Sequence, residues 1–255
     1  MKNKTVIVTG SSSGMGKFMA MKFAQEGANV VITGRSLERL EKAKEEMMET
    51  STGDIFMFPM DVRKPEDVER MVKETVDKYG SIDHLVNNAA GNFVCAAEDL
   101  SVNGWNSVID IVLNGTFYCS SAVGKYWIDN NKKGTILNMV ATYAWDAGAY
   151  VIHSSAAKAG VLNMTRTLAV EWGSKYGIRV NAIAPGPIER TGGADKLFES
   201  EEMAKRTVES VPLNRLGKPE EIADLAHFIL SDKAAYINGE VITMDGGQHL
   251  NQFPF

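Results

Sequence analysis

The stretch Thr9-Gly10-Ser11-Ser12-Ser13-Gly14-Met15-Gly16 decides the fold of this chain. It follows the β-branched run Thr5–Val8 and precedes a segment with the apolar spacing of an amphipathic helix. Glycines between a strand and a helix permit a tight turn, and they let backbone N–H groups approach a pyrophosphate at the helix N-terminus. The order of strand, glycine-rich turn and helix therefore predicts a dinucleotide-binding unit.

Outward from this turn, short runs rich in β-branched residues alternate with longer segments that have helical spacing. The predicted strands are Thr5–Val8, Asn29–Thr33, Ile55–Phe58, His84–Val86, Thr135–Met139, Arg179–Ile183 and Val241–Met244. The predicted helices are Gly16–Glu26, Leu37–Glu49, Glu66–Lys78, Ala156–Trp172 and Pro219–Ser231. The alternation predicts an α/β fold: a single doubly wound (Rossmann) domain over residues 1–255, whose mostly parallel seven-stranded sheet is flanked by helices. Residues 187–212 are irregular and predict either a substrate lid or an ordinary helical insertion.

Composition limits the class of protein. The 255 residues are 44% hydrophobic and 23% charged, which fits one compact domain. A net charge of -5 argues against a nucleic-acid surface, and no apolar run reaches the ~20 residues of a membrane span. The two cysteines, Cys95 and Cys119, belong to no CxxC or Cys/His cluster, so neither a disulfide nor a metal site is predicted. The start Met1–Lys4 leaves no room for a signal peptide before the first strand, and we expect a cytoplasmic protein.

The ends of the next strands indicate which dinucleotide binds. An NAD enzyme is expected to place an acidic residue after the second strand, against the ribose 2′-hydroxyl, whereas this chain has Arg35. A guanidinium can bond a 2′-phosphate through two parallel donors, so Arg35 predicts NADP(H); the alternative is an exposed arginine that caps the strand. After the third strand, Asp61 can accept the adenine amino group while Val62 covers the ring. After the fourth strand, Asn87-Asn88-Ala89 lets the backbone approach the cofactor and can tie adjacent strands together.

Several motifs together resemble the short-chain dehydrogenase/reductase family over essentially the full length of the chain. They are Thr9-Gly10-x-x-x-Gly14-x-Gly16, Asn87-Asn88-Ala89, Lys158, Pro185-Gly186 and Asp245-Gly246-Gly247. Most members that reduce ketones use Asn, Ser, Tyr and Lys. Here Val112 stands at the asparagine position, Ala141 at the serine position and Ser154 at the tyrosine position. Ordinary carbonyl reduction is therefore disfavoured, although the fold is retained.

One branch of this family is a closer match: the chain resembles the 2,4-dienoyl-CoA reductases of unsaturated fatty-acid β-oxidation. The motifs that carry this resemblance are Asn88-Ala89-Ala90-Gly91-Asn92-Phe93, Val112-Leu113-Asn114-Gly115-Thr116, Ala141-Thr142-Tyr143-Ala144, Ser154-x-x-x-Lys158-Ala159-Gly160 and Pro185-Gly186-Pro187-Ile188. The resemblance implies NADPH-dependent reduction of a 2,4-dienoyl-CoA to a 3-enoyl-CoA. It also implies that Tyr143, from the loop after the fifth strand, acts with Asn92. Two neutral donors of this kind suit the thioester oxygen of a dienolate.

The resemblance also implies the remaining site residues. Lys158 would hold the nicotinamide ribose, and Ser154, one turn away on the same helix face, would bond the cofactor or Tyr143. The implied cofactor-binding residues are Gly10, Ser11, Ser12, Ser13, Gly14, Met15, Gly16, Arg35, Asp61, Val62, Asn88, Ala89, Lys158, Pro185, Gly186, Pro187 and Ile188. The residues implied to bind the acyl-CoA thioester are Arg63, Phe93, Ser101 and Lys196. The long helices around Val108–Ile128 and Ala156–Trp172 correspond to those that form homotetramer interfaces in this family.

Other interpretations remain open from sequence alone. One is another enoyl- or 3-oxoacyl-thioester (carbonyl) reductase, with Tyr143 as a relocated acid. Another is a catalytically silent NADP-binding protein, although the retained Lys158 and Tyr143 weigh against it. Tyr143 can also be a packed loop aromatic, Asn92 a turn former and Ser154 a space filler. An ordinary solvated surface accounts equally well for three of the substrate candidates, Arg63, Ser101 and Lys196.

Overall fold

Seven parallel strands form the central sheet of the computed structural model, which describes residues 1–191 and 201–251. In chain order they are β1 (Thr5–Val8), β2 (Asn29–Gly34), β3 (Ile55–Pro59), β4 (His84–Asn87), β5 (Thr135–Met139), β6 (Arg179–Pro185) and β7 (Val241–Met244). They lie in the order β3-β2-β1-β4-β5-β6-β7, and every pairing is parallel. The predicted doubly wound sheet is confirmed. Its order reverses between β1 and β4, at the switch point where such sheets bind ligands.

Helices cover both faces of the sheet. In chain order they are α1 (Gly14–Gln25), α2 (Leu37–Met48), α3 (Pro65–Tyr79), α4 (Val102–Ile109), α5 (Gly115–Asp129), α6 (Ile152–Tyr176), α7 (Glu201–Glu209) and α8 (Pro219–Leu230). A π-helical turn, Asp110–Asn114, joins α4 to α5. No helix in the two described ranges combines the length and the apolar character that crossing a membrane requires.

The side chains of β1 alternate between two apolar cores, as the period of two in a strand requires. Val6 and Val8 belong to the core that contains residues of α1 and α8, whereas Ile7 belongs to the core that contains residues of α3 and α5. Phe23 of α1 and Trp127 of α5 are the largest fully buried side chains of the described chain, one in each core. Burial of a Val, Ile or Phe side chain contributes about 1.5–3 kcal/mol relative to its exposure. The sheet is therefore fixed from both sides.

A buried amide network ties the middle of the sheet to two helices. The Asn87 side chain at the end of β4 donates to Ser120 Oγ of α5 and to Asn138 Oδ1 of β5, both at 2.9 Å. Asn138 in turn donates to Thr165 Oγ1 of α6 at 2.9 Å. A buried polar group is costly unless it is bonded, so these contacts specify how the two helices sit on β4 and β5. The network thereby fixes α6, which carries two of the predicted site residues.

Predicted and observed elements differ mainly at their ends. The predicted bounds of β1, β5 and β7 are the observed ones, whereas β6 continues to Pro185, two residues past its apolar run. Helix α6 begins at Ile152, four residues before its predicted start, and ends before Gly177, which has a φ of +67°. Within the predicted lid, residues 192–200 lie outside the described part of the chain, and α7 forms a helix in the remainder.

Candidate active site

The phosphate turn is built on close backbone approaches. Gly10 has a φ of +62°, and a Cβ at this position would lie 2.7 Å from the Cα of Ala89. A Cβ on Gly16 would lie 2.5 Å from the carbonyl oxygen of Gly10 and would also clash with the Asn88 amide. Glycine is therefore required at both positions, and the turn packs directly on the segment after β4.

Hydrogen bonds join the same two segments. The Asn88 amide donates to the carbonyl oxygens of Thr9 (3.0 Å) and Gly10 (2.9 Å). The Thr9 hydroxyl accepts from the backbone N–H groups of Asn88 and Ala89, both at 3.0 Å. The side chain of Asn88 thus fixes the shape of the phosphate turn by bonding to two of its carbonyl oxygens.

The three serines of the turn have different surroundings. Ser11 is fully buried; its hydroxyl donates to the Val8 carbonyl oxygen at 2.8 Å and accepts from the Thr33 N–H at 2.9 Å. Ser11 therefore joins β1 to β2 and shapes the turn from inside. Ser12 is half-buried, whereas Ser13 is exposed and makes no side-chain cap on α1. The first N–H groups of α1 are thus left uncapped by this residue, an arrangement that suits a phosphate.

A basic pocket lies beside this turn. Its lining residues are Ser12, Lys17, Arg39, Lys42, Ala43 and Glu46. Arg35 is exposed directly after β2, and a Cβ on the preceding Gly34 would lie 3.2 Å from Ser12 Oγ, so Arg35 follows the edge of this pocket. Lys17 forms an ion pair with Glu46 at 2.5 Å. Arg35, Arg39 and Lys42 are the other cationic side chains at this pocket. Their N–H groups are donors of the kind that could bind a ribose 2′-phosphate.

Sequence reasoning missed Arg39 and Lys42, which lie in α2 beside the turn. The signal was their spacing. They stand three residues apart in α2, and residues separated by this spacing share one face of a helix.

Asp61 and Arg63, predicted to contact adenine and substrate respectively, are paired with each other. Arg63 Nε lies 2.9 Å from Asp61 Oδ1, and the Arg63 backbone N–H donates to the same oxygen at 3.1 Å. The Arg63 side chain lowers the pKa of Asp61, and partial burial opposes this effect. Val62 is buried against Gly115 of α5, where a Cβ would lie 2.8 Å from Val62 Cγ2.

The structure brings Tyr143 and Ser154 together. Tyr143 lies in a 3-10 turn, Thr142–Ala144, that follows β5, and its hydroxyl oxygen lies 3.1 Å from Ser154 Oγ. Ser154 is buried in the first turn of α6, so the helix fixes its position. Either hydroxyl can donate. When Ser154 donates, the phenol of Tyr143 keeps its own proton for a ligand.

Lys158 lies one turn further along α6, on the same face as Ser154. Its side chain is buried, and Nζ donates to the carbonyl oxygen of Met139 at the end of β5, at 2.6 Å. Burial lowers the pKa of Lys158 to about 8. The ammonium group is therefore held at the carboxyl edge of the sheet, where doubly wound folds bind their ligands.

The segment that carries Asn92 packs against the first turn of α6 and the loop before it. The ring centroids of Phe93 and His153 lie 4.4 Å apart in a T-shaped contact, and the Cys95 N–H donates to the Tyr150 carbonyl oxygen at 2.9 Å. Asn92 is exposed, and its Oδ1 accepts from the Phe93 N–H at 2.9 Å. Phe93, predicted to line the acyl path, is half-buried in this contact.

Residues 185–188, the Pro-Gly-Pro-Ile segment, end β6 and lie beside the end of β7. The Gly186 N–H donates to the Met244 carbonyl oxygen at 3.0 Å, and a Cβ on Gly186 would lie 2.7 Å from the Cα of Asp245. Ile188 is buried and forms an isolated parallel bridge with Gly217. This segment therefore lies at the same sheet edge as Tyr143 and the phosphate turn.

The remaining predicted positions have simpler surroundings. Ser101 is exposed and caps α4, since its Oγ accepts from the Gly104 N–H at 3.0 Å. Lys196 lies outside the described residues. Val112 is buried in the π-helical turn, and Ala141 directly precedes the turn of Tyr143. Across residues 1–191 and 201–251, no group of three or more His, Cys, Asp or Glu side chains is arranged to hold a metal ion.

Comparison with known proteins relates this site to a family. A family model described as Enoyl-(Acyl carrier protein) reductase matches residues 10–249. A protein of Bacillus subtilis (strain 168) named "Probable 2,4-dienoyl-CoA reductase, (2E)-enoyl-CoA-producing" is 64% identical over 255 residues, with 100% of both chains covered. "Probable 2,4-dienoyl-CoA reductase 3, (3E)-enoyl-CoA-producing" of Caenorhabditis elegans is 43% identical and covers 98% of this chain and 82% of its own length.

Solved structures give the same relationship. The crystal structure of a short chain dehydrogenase from Bacillus anthracis str. 'Ames Ancestor' has a TM-score of 0.92 and 66% identity, with 99% of both chains covered. A putative 2-deoxy-d-gluconate 3-dehydrogenase from Agrobacterium tumefaciens with bound NADP has a TM-score of 0.90 and 29% identity, with 98% of both chains covered. With the fold, the glycine turn and the lysine of α6 already described, these matches show that the chain belongs to the short-chain dehydrogenase/reductase family.

Proposed function

We propose that this protein is an NADPH-dependent 2,4-dienoyl-CoA reductase. The observation that carries the proposal is the 3.1 Å contact between the hydroxyl groups of Tyr143 and Ser154. It provides a phenol at the carboxyl edge of the sheet while the helix position four residues before Lys158 holds a serine. The relatives at 64% and 43% identity carry this activity in their names.

The reaction that fits this arrangement builds up charge on a thioester oxygen. NADPH supplies a hydride to C5 of the dienoyl thioester, and the electron pair moves through the conjugated system to that oxygen. The Tyr143 hydroxyl, oriented by Ser154, donates a hydrogen bond to the developing oxyanion, and Asn92 provides a second donor. Removal of one such donor commonly lowers the rate by about 10²–10³.

The charged groups complete the assignment. Lys158 holds the nicotinamide ribose and places positive charge near the oxyanion. Arg35, Arg39 and Lys42 bind the 2′-phosphate, and this donor set favours NADPH over NADH. The N-terminus of α1 receives the pyrophosphate.

Proton return completes the reduction, and its position determines the product. Protonation at C2 gives a 3-enoyl-CoA, whereas protonation at C4 gives a 2-enoyl-CoA. The names of the two relatives above differ on this point. We propose the 3-enoyl product, because a dienolate is protonated fastest at its α carbon, which is C2 here. Ultraviolet absorbance separates the two products, since only the 2-enoyl thioester remains conjugated.

Steady-state assays test the proposal. NADPH consumption is followed with a 2,4-dienoyl-CoA, a 2-enoyl-CoA and a 3-oxoacyl thioester, for the wild-type protein and Tyr143→Phe. We expect turnover of the dienoyl thioester and a loss of about 10²–10³ in Tyr143→Phe. Turnover of the 3-oxoacyl thioester alone would replace this proposal with carbonyl reduction, and NADPH binding without any turnover would replace it with a silent binding protein. Tyr236→Phe, at a fully exposed tyrosine, is the matched control.

The same proposal includes assembly of the protein as a homotetramer. Phe117 of α5 and Val170 of α6 are exposed by 53% and 73%, although both are apolar. Exposed apolar helix faces of this kind are typical of protein interfaces. Sedimentation equilibrium measures the assembly. Phe117→Glu together with Val170→Glu is expected to reduce the mass toward that of a smaller species.

A further inference from the structure

The Asp-Gly-Gly motif at residues 245–247 begins with a buried carboxylate, that of Asp245. Asp245 is 7% exposed and accepts three hydrogen bonds: from the Gly247 N–H at 2.9 Å, from the His249 N–H at 2.8 Å and from the His249 ring Nδ1 at 2.7 Å. Burial opposes ionisation here, yet the bonds from His249 and Gly247 lower the pKa of Asp245. A buried anion with this number of donors holds its partner in one orientation.

The motif also touches the segment after β6. Gly186 lies so close to Asp245 that a Cβ on it would be 2.7 Å from the Asp245 Cα. The backbone bond from Gly186 to Met244 lies beside this contact. Asp245 is thus anchored to the part of the site assigned to the cofactor.

The other side of His249 faces the loop that carries the tyrosine. The rings of His249 and Trp145 have centroids 6.2 Å apart and are nearly perpendicular, at 88°. Trp145 stands two residues after Tyr143. Its backbone N–H donates to the Thr142 carbonyl oxygen at 3.2 Å and so caps the 3-10 turn that carries Tyr143. Aromatic pairs in this edge-to-face geometry stabilise each other beyond the area that they bury.

We propose that His249 is a positioning residue, which Asp245 holds against Trp145 so that the turn of Tyr143 is fixed relative to the segment at residues 185–188. The proposal rests on the proposed function for what Tyr143 does. The link itself is a property of the folded chain. It connects the segment assigned to the cofactor with the turn that carries Tyr143 through two side-chain contacts, Asp245 with His249 and His249 with Trp145.

Two substitutions of His249 separate these contacts. His249→Asn keeps a donor near the position of Nδ1 and removes the ring, whereas His249→Phe keeps a ring and removes that donor. His249→Ala removes both. We expect kcat with the dienoyl thioester to fall about tenfold in His249→Ala and by a smaller factor in the other two, while the Kd for NADPH changes less than twofold. His227→Ala, at a histidine of α8, is the control.

A double substitution distinguishes positioning from a general loss of structure. If His249 acts through Trp145, the variant with both His249→Ala and Trp145→Ala loses no more kcat than the worse single variant. Losses that multiply, or a kcat unchanged in both single variants, would overturn the proposal. If His249→Ala fails to fold, as judged by thermal unfolding, the same comparison is made with His249→Phe.

A measurement without substrate separates this proposal from the proposed function. Acrylamide quenching of the Trp145 fluorescence is obtained as the difference between each protein and its Trp145→Phe counterpart. We expect quenching to increase in His249→Ala and to remain unchanged in His227→Ala. Unchanged quenching in His249→Ala would overturn the link. Increased quenching in a protein that does not reduce dienoyl thioesters would refute the proposed function and leave the link intact.

Discussion

The hydroxyl of Tyr143 is held 3.1 Å from the hydroxyl of Ser154, so a phenol from one element is oriented by a serine from another. The tyrosine comes from the turn after β5, and the serine comes from the first turn of α6. The phenol therefore reaches this edge of the sheet from the turn and not from the helix that carries Lys158. In the proposed reaction it donates to a thioester oxygen that is remote from the carbon receiving hydride.

Removal of the orienting serine is expected to have a smaller effect than removal of the phenol. Ser154→Ala deletes one hydrogen bond to Tyr143, so we expect kcat to fall about tenfold, whereas Tyr143→Phe lowers it by about 10²–10³. Single-turnover measurements of hydride transfer compare the two variants. Equal losses would mean that Ser154 itself contacts a reacting group.

Cofactor choice is expected to depend on Arg35. Arg35→Asp would place a negative charge at the proposed 2′-phosphate site, and we expect the Kd for NADPH to rise about 10–100-fold while that for NADH changes little. Fluorescence titration of the bound nicotinamide measures both constants. Arg70→Asp makes the same change of charge on exposed α3 and serves as the control. Equal losses for the two cofactors would remove Arg35 from the phosphate site.

The buried Lys158 is expected to make stability depend on pH. Its pKa falls from 10.5 to about 8 on folding, so between these values the unfolded chain holds a proton that the folded chain has lost. Stability then rises with pH across this window, by up to about 3 kcal/mol. Urea unfolding without cofactor, from pH 7 to pH 10.5, is compared with Lys158→Met. The wild-type protein should gain relative to the variant as pH rises, and a constant difference would contradict the assignment.

A methyl group at Gly16 is expected to damage both stability and cofactor binding. It would lie 2.5 Å from the Gly10 carbonyl oxygen and displace the Asn88 amide that shapes the turn. We expect Gly16→Ala to lose about 1–3 kcal/mol of stability and to weaken NADPH binding. Gly80→Ala is the control, because Gly80 has a φ of +76° but no atom within 4 Å of the added Cβ. It should lose stability while retaining NADPH affinity.

Much of the fold was predictable because the strands are short, apolar and rich in β-branched residues. Their ends were less so: Gly34, Pro59 and Pro185 belong to strands because neighbouring strands pair with them, not because of their own propensities. Helix α4 was not predicted as a separate element, since Gly104 and its asparagines are poor helix formers. Tertiary contacts, such as the approach of Gly104 to Phe93, favour it.

The site residues were predictable where the backbone geometry requires a particular residue type. They were less predictable where the hydrogen-bond partner of a side chain depends on packing in the folded chain. The glycines of the phosphate turn and the meeting of Tyr143 with Ser154 follow from the order of elements along the chain. Two pairings between side chains and their neighbours do not follow from that order. Ser11 bonds to β1 and β2, and Asp61 bonds to Arg63, because burial and rotamer choice decide those contacts only in the folded chain. The catalytic roles assigned to Tyr143, Ser154, Asn92 and Lys158 stay predictions.

The π-helical turn at Asp110–Asn114 restricts how this part of the chain can change in length. The Gly115 N–H bonds to the Asp110 carbonyl oxygen, five residues back, so the turn contains one residue more than an α-helix would use there. Each residue of an α-helix turns the chain by about 100°. Loss of one residue here would therefore rotate α5 by about that angle, so that Cys119 and Trp127 would leave the core. Among related chains we therefore expect insertions and deletions to occur in the loops and to spare this turn.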